Sequence, residues 1–150
     1  MTANCFVDTN LLVYFRDASE PLKQKRAEDW LTMLWRTRTG RISFQVLNEY
    51  YVTVTQRLDP GLDVNAARAD IRSLLAWHPI SVGRPVIEGA WAVQDRYGFS
   101  WWDSLVVAAA QRADCGYLLT EDLQHGQEID GITIVNPFEK THEELFAAGG

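Results

Sequence analysis

The chain has 150 residues, 47% hydrophobic and 23% charged: one domain by length, of ordinary globular composition and able to bury a core without staples. No run approaches the ~20 apolar residues that span a bilayer, and the first charge, Asp8, follows no basic-then-apolar leader, so the expectation is cytoplasmic residence with no membrane partner. The net charge of −6 argues against a broad basic footprint for nucleic acid, although Arg16, Lys23, Lys25, Arg26, Arg36, Arg38 and Arg41 crowd the early chain and leave room for a locally basic rim.

Cys5-Phe6-Val7 is too short for a helix and has no polar alternation, which suits a central strand buried on both faces. It runs into Asp8-Thr9-Asn10, at the end of a strand where open α/β sheets place their ligands. Asp8 or Asn10 could equally cap the helix that begins at Leu11 and ends near Asp17. Pro21 opens a second helix, with Ala27, Trp30, Leu31, Leu34 and Trp35 on one apolar face and Gly40 as its stop. That face packs on the sheet or leaves a patch for a partner chain.

Ile42-Ser43 reads as a second strand end leading into a helix from about Phe44 to Leu58. Leu47, Tyr50 or Tyr51, Val54 and Leu58 form its apolar stripe, while Gln45, Glu49 and Gln56 share a separate face. Glu49 is therefore either a solvated carboxylate or an acid aimed at the strand end. Asp59-Pro60-Gly61 is a turn, Asp63 caps a helix through Ala76, and residues 78–83 are a connector with a possible short strand. His78 has no second His or Cys beside it and receives no metal role. A helix over 84–97 closes at Gly98.

Ser100 opens the most apolar helix, which continues through Ala110 with Asp103 in its first turn. Asp103 is either the third position of a capping box or an acid exposed at a helix start. Tyr117-Leu118-Leu119 is a further buried strand ending in Thr120-Glu121-Asp122, which repeats the pattern at Asp8. Ile132–Val135 supplies a last strand, and the tail after about residue 138 is frayed or a short helix. Cys5 and Cys115 lack metal-ligand spacing and read as buried free thiols, with a disulfide left open.

Right-handed parallel connections put successive strand ends on one edge of a sheet. Asp8 and Asp122 end strands there, with Glu49 and Asp103 near helix starts facing the same edge. Four carboxylates in one place repel unless a hard cation such as Mg²⁺ or Mn²⁺ joins them. Zinc is disfavoured, since no His or Cys accompanies the acids. Such a site suits phosphodiester hydrolysis by metal-activated water, and no Ser-His-Asp or Cys-His arrangement competes with it.

Phe6-Val7-Asp8-Thr9-Asn10, Glu49 within residues 45–50, Trp102-Asp103-Ser104-Leu105 and Leu119-Thr120-Glu121-Asp122-Leu123 together resemble the PIN-domain ribonucleases, and among them the VapC toxins of toxin–antitoxin pairs. The resemblance runs from about Phe6 to Phe138. It implies a single PIN-like domain over residues 1–150, a three-layer α/β/α fold around a mostly parallel sheet of about five strands. It also implies a Mg²⁺- or Mn²⁺-dependent endoribonuclease acting on an RNA substrate, a homodimer, and inhibition by a cognate antitoxin.

Asp8, Glu49 and Asp103 match the family's three metal-site acids and Asp122 the fourth, with Thr9, Asn10 and Thr120 as supporting polar groups. Glu121 could replace Asp122, and His125 borders the substrate or lies in a solvated loop. Trp30, Leu31, Leu34 and Trp35 are candidates to line the antitoxin groove. Two rival readings are a non-enzymatic protein-binding module and a phosphatase for small phosphate esters. The second is weakened because Asn10 stands where haloacid-dehalogenase-like enzymes carry a second Asp.

Overall fold

The computed structural model describes residues 3–147. Strands β1 (Cys5–Val7), β2 (Gly40–Arg41), β3 (Tyr117–Leu119), β4 (Glu128–Ile129) and β5 (Ile132–Val135) form one sheet in the order β2-β1-β3-β5-β4. All pairings are parallel except β4 with β5. Helices α1 (Thr9–Phe15), α2 (Pro21–Thr37), α3 (Phe44–Val52), α4 (Val64–Leu74), α5 (Arg84–Tyr97), α6 (Trp101–Arg112) and α7 (His142–Ala147) complete a three-layer α/β/α arrangement. Phe6, Val7, Leu118, Leu119 and Ile134 are wholly buried, as expected of strands covered on both faces. No helix among the described residues is long and apolar enough to cross a membrane.

Register sets the functional edge. Val7 pairs with Leu119 and Leu119 with Val135, so all three strands end level. The next backbone groups continue the ladder, Asp8 N–H donating to Leu119 O and Thr120 N–H to Val135 O. Asp8 and Thr120 therefore leave the sheet side by side.

Several boundaries differ from the sequence reading. Helix α1 starts at Thr9 rather than Leu11, because Asp8 takes the cap and accepts the Thr9 N–H at 2.7 Å. Helix α2 is stopped by Arg38 in the left-handed conformation (φ 60°), not by Gly40. Gly40 instead lies in β2, where a Cβ would sit 2.6 Å from the Trp77 ring. After Val52 the third helix continues as a π turn over Thr53–Arg57. The possible strand in the 78–83 connector reduces to one parallel bridge from Ile80 to Ser43.

The β4–β5 hairpin went unread. Its signal is Asp130-Gly131 between Ile129 and Ile132, both turn residues having positive φ (48° and 91°), the signature of a two-residue primed turn. The tail is a short helix, not a frayed end: Phe146 of α7 packs edge-on against Trp30 and Tyr117. The last three residues of that tail lie outside the described residues. Cys5 and Cys115 are buried free thiols, and burial pushes the Cys115 thiol up to about 12.

Candidate active site at the carboxyl edge of the sheet

Asp8 is the innermost acid, 6% exposed. Its Oδ1 accepts the Thr9 N–H and its Oδ2 accepts the Thr120 hydroxyl at 2.9 Å. Thr120, wholly buried, is the hub of the edge, since its Oγ also accepts the Asn10 amide at 3.3 Å and the Asp122 N–H at 3.1 Å. Asn10 Nδ2 donates a second bond to Asp122 Oδ2 at 3.2 Å. Asp122 is thereby tied to Asp8 through two polar residues, one from each strand end.

Glu49 reaches the edge from α3. The Thr9 hydroxyl donates to its Oε2 at 2.9 Å and Gln45 Nε2 to its Oε1 at 3.2 Å. Ser43 caps this helix by accepting the Val46 N–H, and the resulting phase turns the Gln45–Glu49 face towards α1. Asp103 lies in the first turn of α6. Its N–H donates to the Ser100 hydroxyl at 3.1 Å, but the return bond from the carboxylate is not made, so only half of a capping box forms. The side chain is left free of that duty.

Among the described residues no cation pairs with Asp8. Burial raises its pKa to about 7; the Thr9 and Thr120 hydrogen bonds pull it down, and the charges of Asp122 and Glu49 push it further up. Asp122 is also raised, first by desolvation, then by Asp103, Glu121 and Glu49, against the lowering bond from Asn10. Asp8 and Asp122 thus both feel Glu49, and Asp103 acts on Asp122.

They do not form the tight cluster expected for Asp8, Glu49, Asp103 and Asp122. Among the described residues no three His, Cys, Asp or Glu side chains are gathered closely enough to hold one ion between them. Asp8, Glu49 and Asp122 are linked through Thr9, Asn10 and Thr120 rather than edge to edge. The donor set nevertheless fits a hard divalent cation. It is all oxygen, and the Asn10 Oδ1 is buried without a hydrogen-bond partner, an acceptor of the kind such an ion would use.

Among the described residues Glu121 has a cationic partner and Asp122 has none. Lys23 pairs with Glu121 at 3.0 Å while also donating to the Tyr14 hydroxyl and lying over the Tyr14 and Phe138 rings. His125 is not a free loop side chain: its Nδ1 accepts the Asn136 N–H at 2.9 Å. The basic rim is largely consumed internally, with Arg16 on Asp70, Lys25 on Asp29 and Arg26 on the Pro137 carbonyl.

The partner face of α2 also changes. Trp30 and Leu34 are wholly buried, and the Trp30 indole N–H is spent on the Pro137 and Lys140 carbonyls, so neither lines an open groove. Leu31 and Trp35 do: with Leu12, Phe15, Tyr50 and Leu74 they border a cleft of about 370 Å³ among α1, α2, α3 and α4. Arg57 and Trp102, which line a second cleft against Thr9 and Glu49, were missed. Trp102 was signalled by its place beside Asp103, whereas Arg57 had no local signal.

Solved structures share the fold, three of them as follows. A toxin–antitoxin complex from Klebsiella pneumoniae matches with a TM-score of 0.65 at 19% identity, over 89% of this chain and 98% of that one. A DNA-bound VapBC from Salmonella typhimurium gives 0.63 at 15% identity, over 91% and 99%. VapC20 of Mycobacterium tuberculosis, a toxin that cleaves the sarcin–ricin loop, gives 0.56 at 21%, over 79% and 92%. No curated protein matches the sequence. The profile of the PIN domain matches residues 5–127, most of the chain and the whole of the acid edge; the protein belongs to the PIN-domain family.

Proposed function

We propose that this protein is a divalent-metal-dependent endoribonuclease, the toxin of a toxin–antitoxin pair, which hydrolyses RNA phosphodiester bonds with water as nucleophile. The observation that carries the reading is Asp8: a buried carboxylate with no cationic partner among the described residues, facing the charges of Asp122 and Glu49, with Asp103 acting in turn on Asp122. Asp8, Asp122, Glu49 and Asp103 would hold Mg²⁺, with Mn²⁺ as substitute. When bound, such an ion supplies the charge that makes water acidic enough to attack near neutral pH and offsets charge on the phosphate. Thr120 orients Asp8, Thr9 and Gln45 hold Glu49, and Asn10 restrains Asp122. Lys23 pairs with Glu121 and offsets its charge.

The toxin assignment draws on the fold shared with toxin–antitoxin complexes and on the cleft bordered by Leu31 and Trp35, whose apolar walls suit an amphipathic antitoxin segment. A homodimer in the cytoplasm completes the reading. The rival is a non-enzymatic binding module, favoured by the absence of three converging ligands among the described residues. Incubation of the purified chain with a structured RNA separates the two. Cleavage in millimolar Mn²⁺ that EDTA abolishes is expected, and no cleavage together with no Mn²⁺-dependent rise in melting temperature would leave only the binding module.

A further inference from the structure

Beside the acids lies a cleft of about 500 Å³ whose lining includes Thr9, Glu49, Val52, Thr53, Arg57 and Trp102. It shares Thr9 and Glu49 with the acid edge, so whatever fills it lies next to the group bound at Asp8. Two features equip it for a particular occupant. Trp102 is 62% exposed although it stands in the first turn of α6, one residue before Asp103. Ser100 caps that turn through the Asp103 N–H, which fixes the backbone that carries the indole.

Arg57 arrives by an irregularity of the backbone. In a continuous α-helix, at about 100° per residue, Gln56 would lie within about 20° of Glu49 and Arg57 about 80° from it. The π turn over Thr53–Arg57 inserts an extra residue into the winding. Arg57 then follows Val52 and Thr53 into the cleft, and Gln56 does not line it. Arg57 takes part in none of the ion pairs among the described residues, so its guanidinium is available in surroundings that are otherwise acidic.

An aromatic face and an unengaged guanidinium beside a phosphodiester-cleaving edge match the alternation of base and phosphate in single-stranded RNA, which is recognised by stacking and cationic contacts. We propose that this cleft receives one unpaired ribonucleotide flanking the scissile phosphate, its base stacked on Trp102 and its phosphate held by Arg57. The assignment rests on the ribonuclease reading above. A duplex keeps its bases stacked on each other and cannot offer one to the indole, so the cleavage site must be a loop, bulge or free strand.

Steady-state cleavage of a single-stranded oligoribonucleotide in Mn²⁺ tests this with Trp102→Ala, Trp102→Phe and Arg57→Ala. Trp102→Ala is expected to raise KM about tenfold, and Trp102→Phe to keep it within about threefold of the parent. Arg57→Ala should raise KM and reduce its salt dependence. The Mn²⁺-induced rise in melting temperature should stay unchanged in all three, since none supplies a ligand. The same sequence closed into a duplex should resist cleavage. An unchanged KM in Trp102→Ala, with the parent active, overturns the nucleotide site and leaves the ribonuclease reading intact. A parent that cleaves no RNA overturns both. Loss of antitoxin binding by Trp102→Ala at unchanged KM would assign the indole to the protein partner and overturn the site.

Discussion

Asp8 and Asp70 are both drawn from water, and they differ in what answers their charge. Asp70 is gripped by Arg16 through Nε at 2.9 Å and Nη2 at 2.6 Å, and accepts the Tyr50 hydroxyl as well. Asp8 receives only a backbone N–H and a hydroxyl, and the nearest charges are other acids. A bidentate Arg closes a carboxylate electrostatically and joins α1 to α4. An uncompensated one stores unfavourable energy that a cation can relieve, which is how functional carboxylates differ from structural ones. The first site contributes to the fold; the second is held in place by it.

Exchanging charge for neutrality should break this contrast most sharply. Asp8→Asn is expected to lower RNA cleavage by more than the roughly 10–100-fold that follows loss of a residue which merely orients a ligand. The same change should leave the metal-free protein no less stable at pH 8, because it removes an unpaired buried charge. Comparing turnover with urea unfolding of one variant checks both halves. A fall in stability as large as that of a core truncation would contradict the account.

Arg16→Ala should do the reverse. It leaves Asp70 without its cation, and destabilisation of about 1–3 kcal/mol is expected, below the 3–5 kcal/mol of a fully buried pair because water reaches both partners. Cleavage at saturating RNA should change little. The measurement is chemical unfolding beside kcat, and a collapse of kcat without loss of stability would move Arg16 into the active site.

Titration sharpens the comparison further. The Asp8 pKa rises on folding from 3.8 to about 7, so between those values the folded state binds a proton that the unfolded chain has lost. Stability from this group is complete below about pH 4 and falls as pH rises towards 7. Asp8→Asn should lack that decline, which isolates it from other titrations. Mn²⁺ should raise the melting temperature more at pH 8 than at pH 5, because the ion must displace the proton at the lower pH. Equal stabilisation at both would sink the idea that Asp8 binds metal.

The smallest effect is expected at Glu121. Its pair with Lys23 is partly solvent-exposed, and such pairs are worth about 0–1 kcal/mol. Glu121→Gln should leave cleavage within roughly threefold, whereas Asp122→Asn should reduce it severely. Reversed magnitudes would make Glu121 the fourth acid.

Much of this molecule was legible locally. Apolar triplets marked β1 and β3, and the acids following them marked the edge. The helix phases at Glu49 and Asp103 pointed both residues towards it. Burial patterns repeat over a few residues, so a linear reading detects them. What failed was long-range or cumulative. Trp30 and Trp35 share one helix face, yet α7 and the 137–140 segment bury the first while the second stays exposed. Arg57 rather than Gln56 lines the second cleft, where the helix ends in a π turn that a linear reading does not foresee.

By itself, then, the sequence determined where strands run out into acids and which family pattern those acids follow. Only the tertiary structure decided which carboxylates are answered and which stand open. Thr120 reaches Asp8 across 112 positions, Lys23 reaches Glu121 across 98, and Arg16 reaches Asp70 across 54. A carboxylate's electrostatic state depends on such neighbours in space, which no local periodicity encodes.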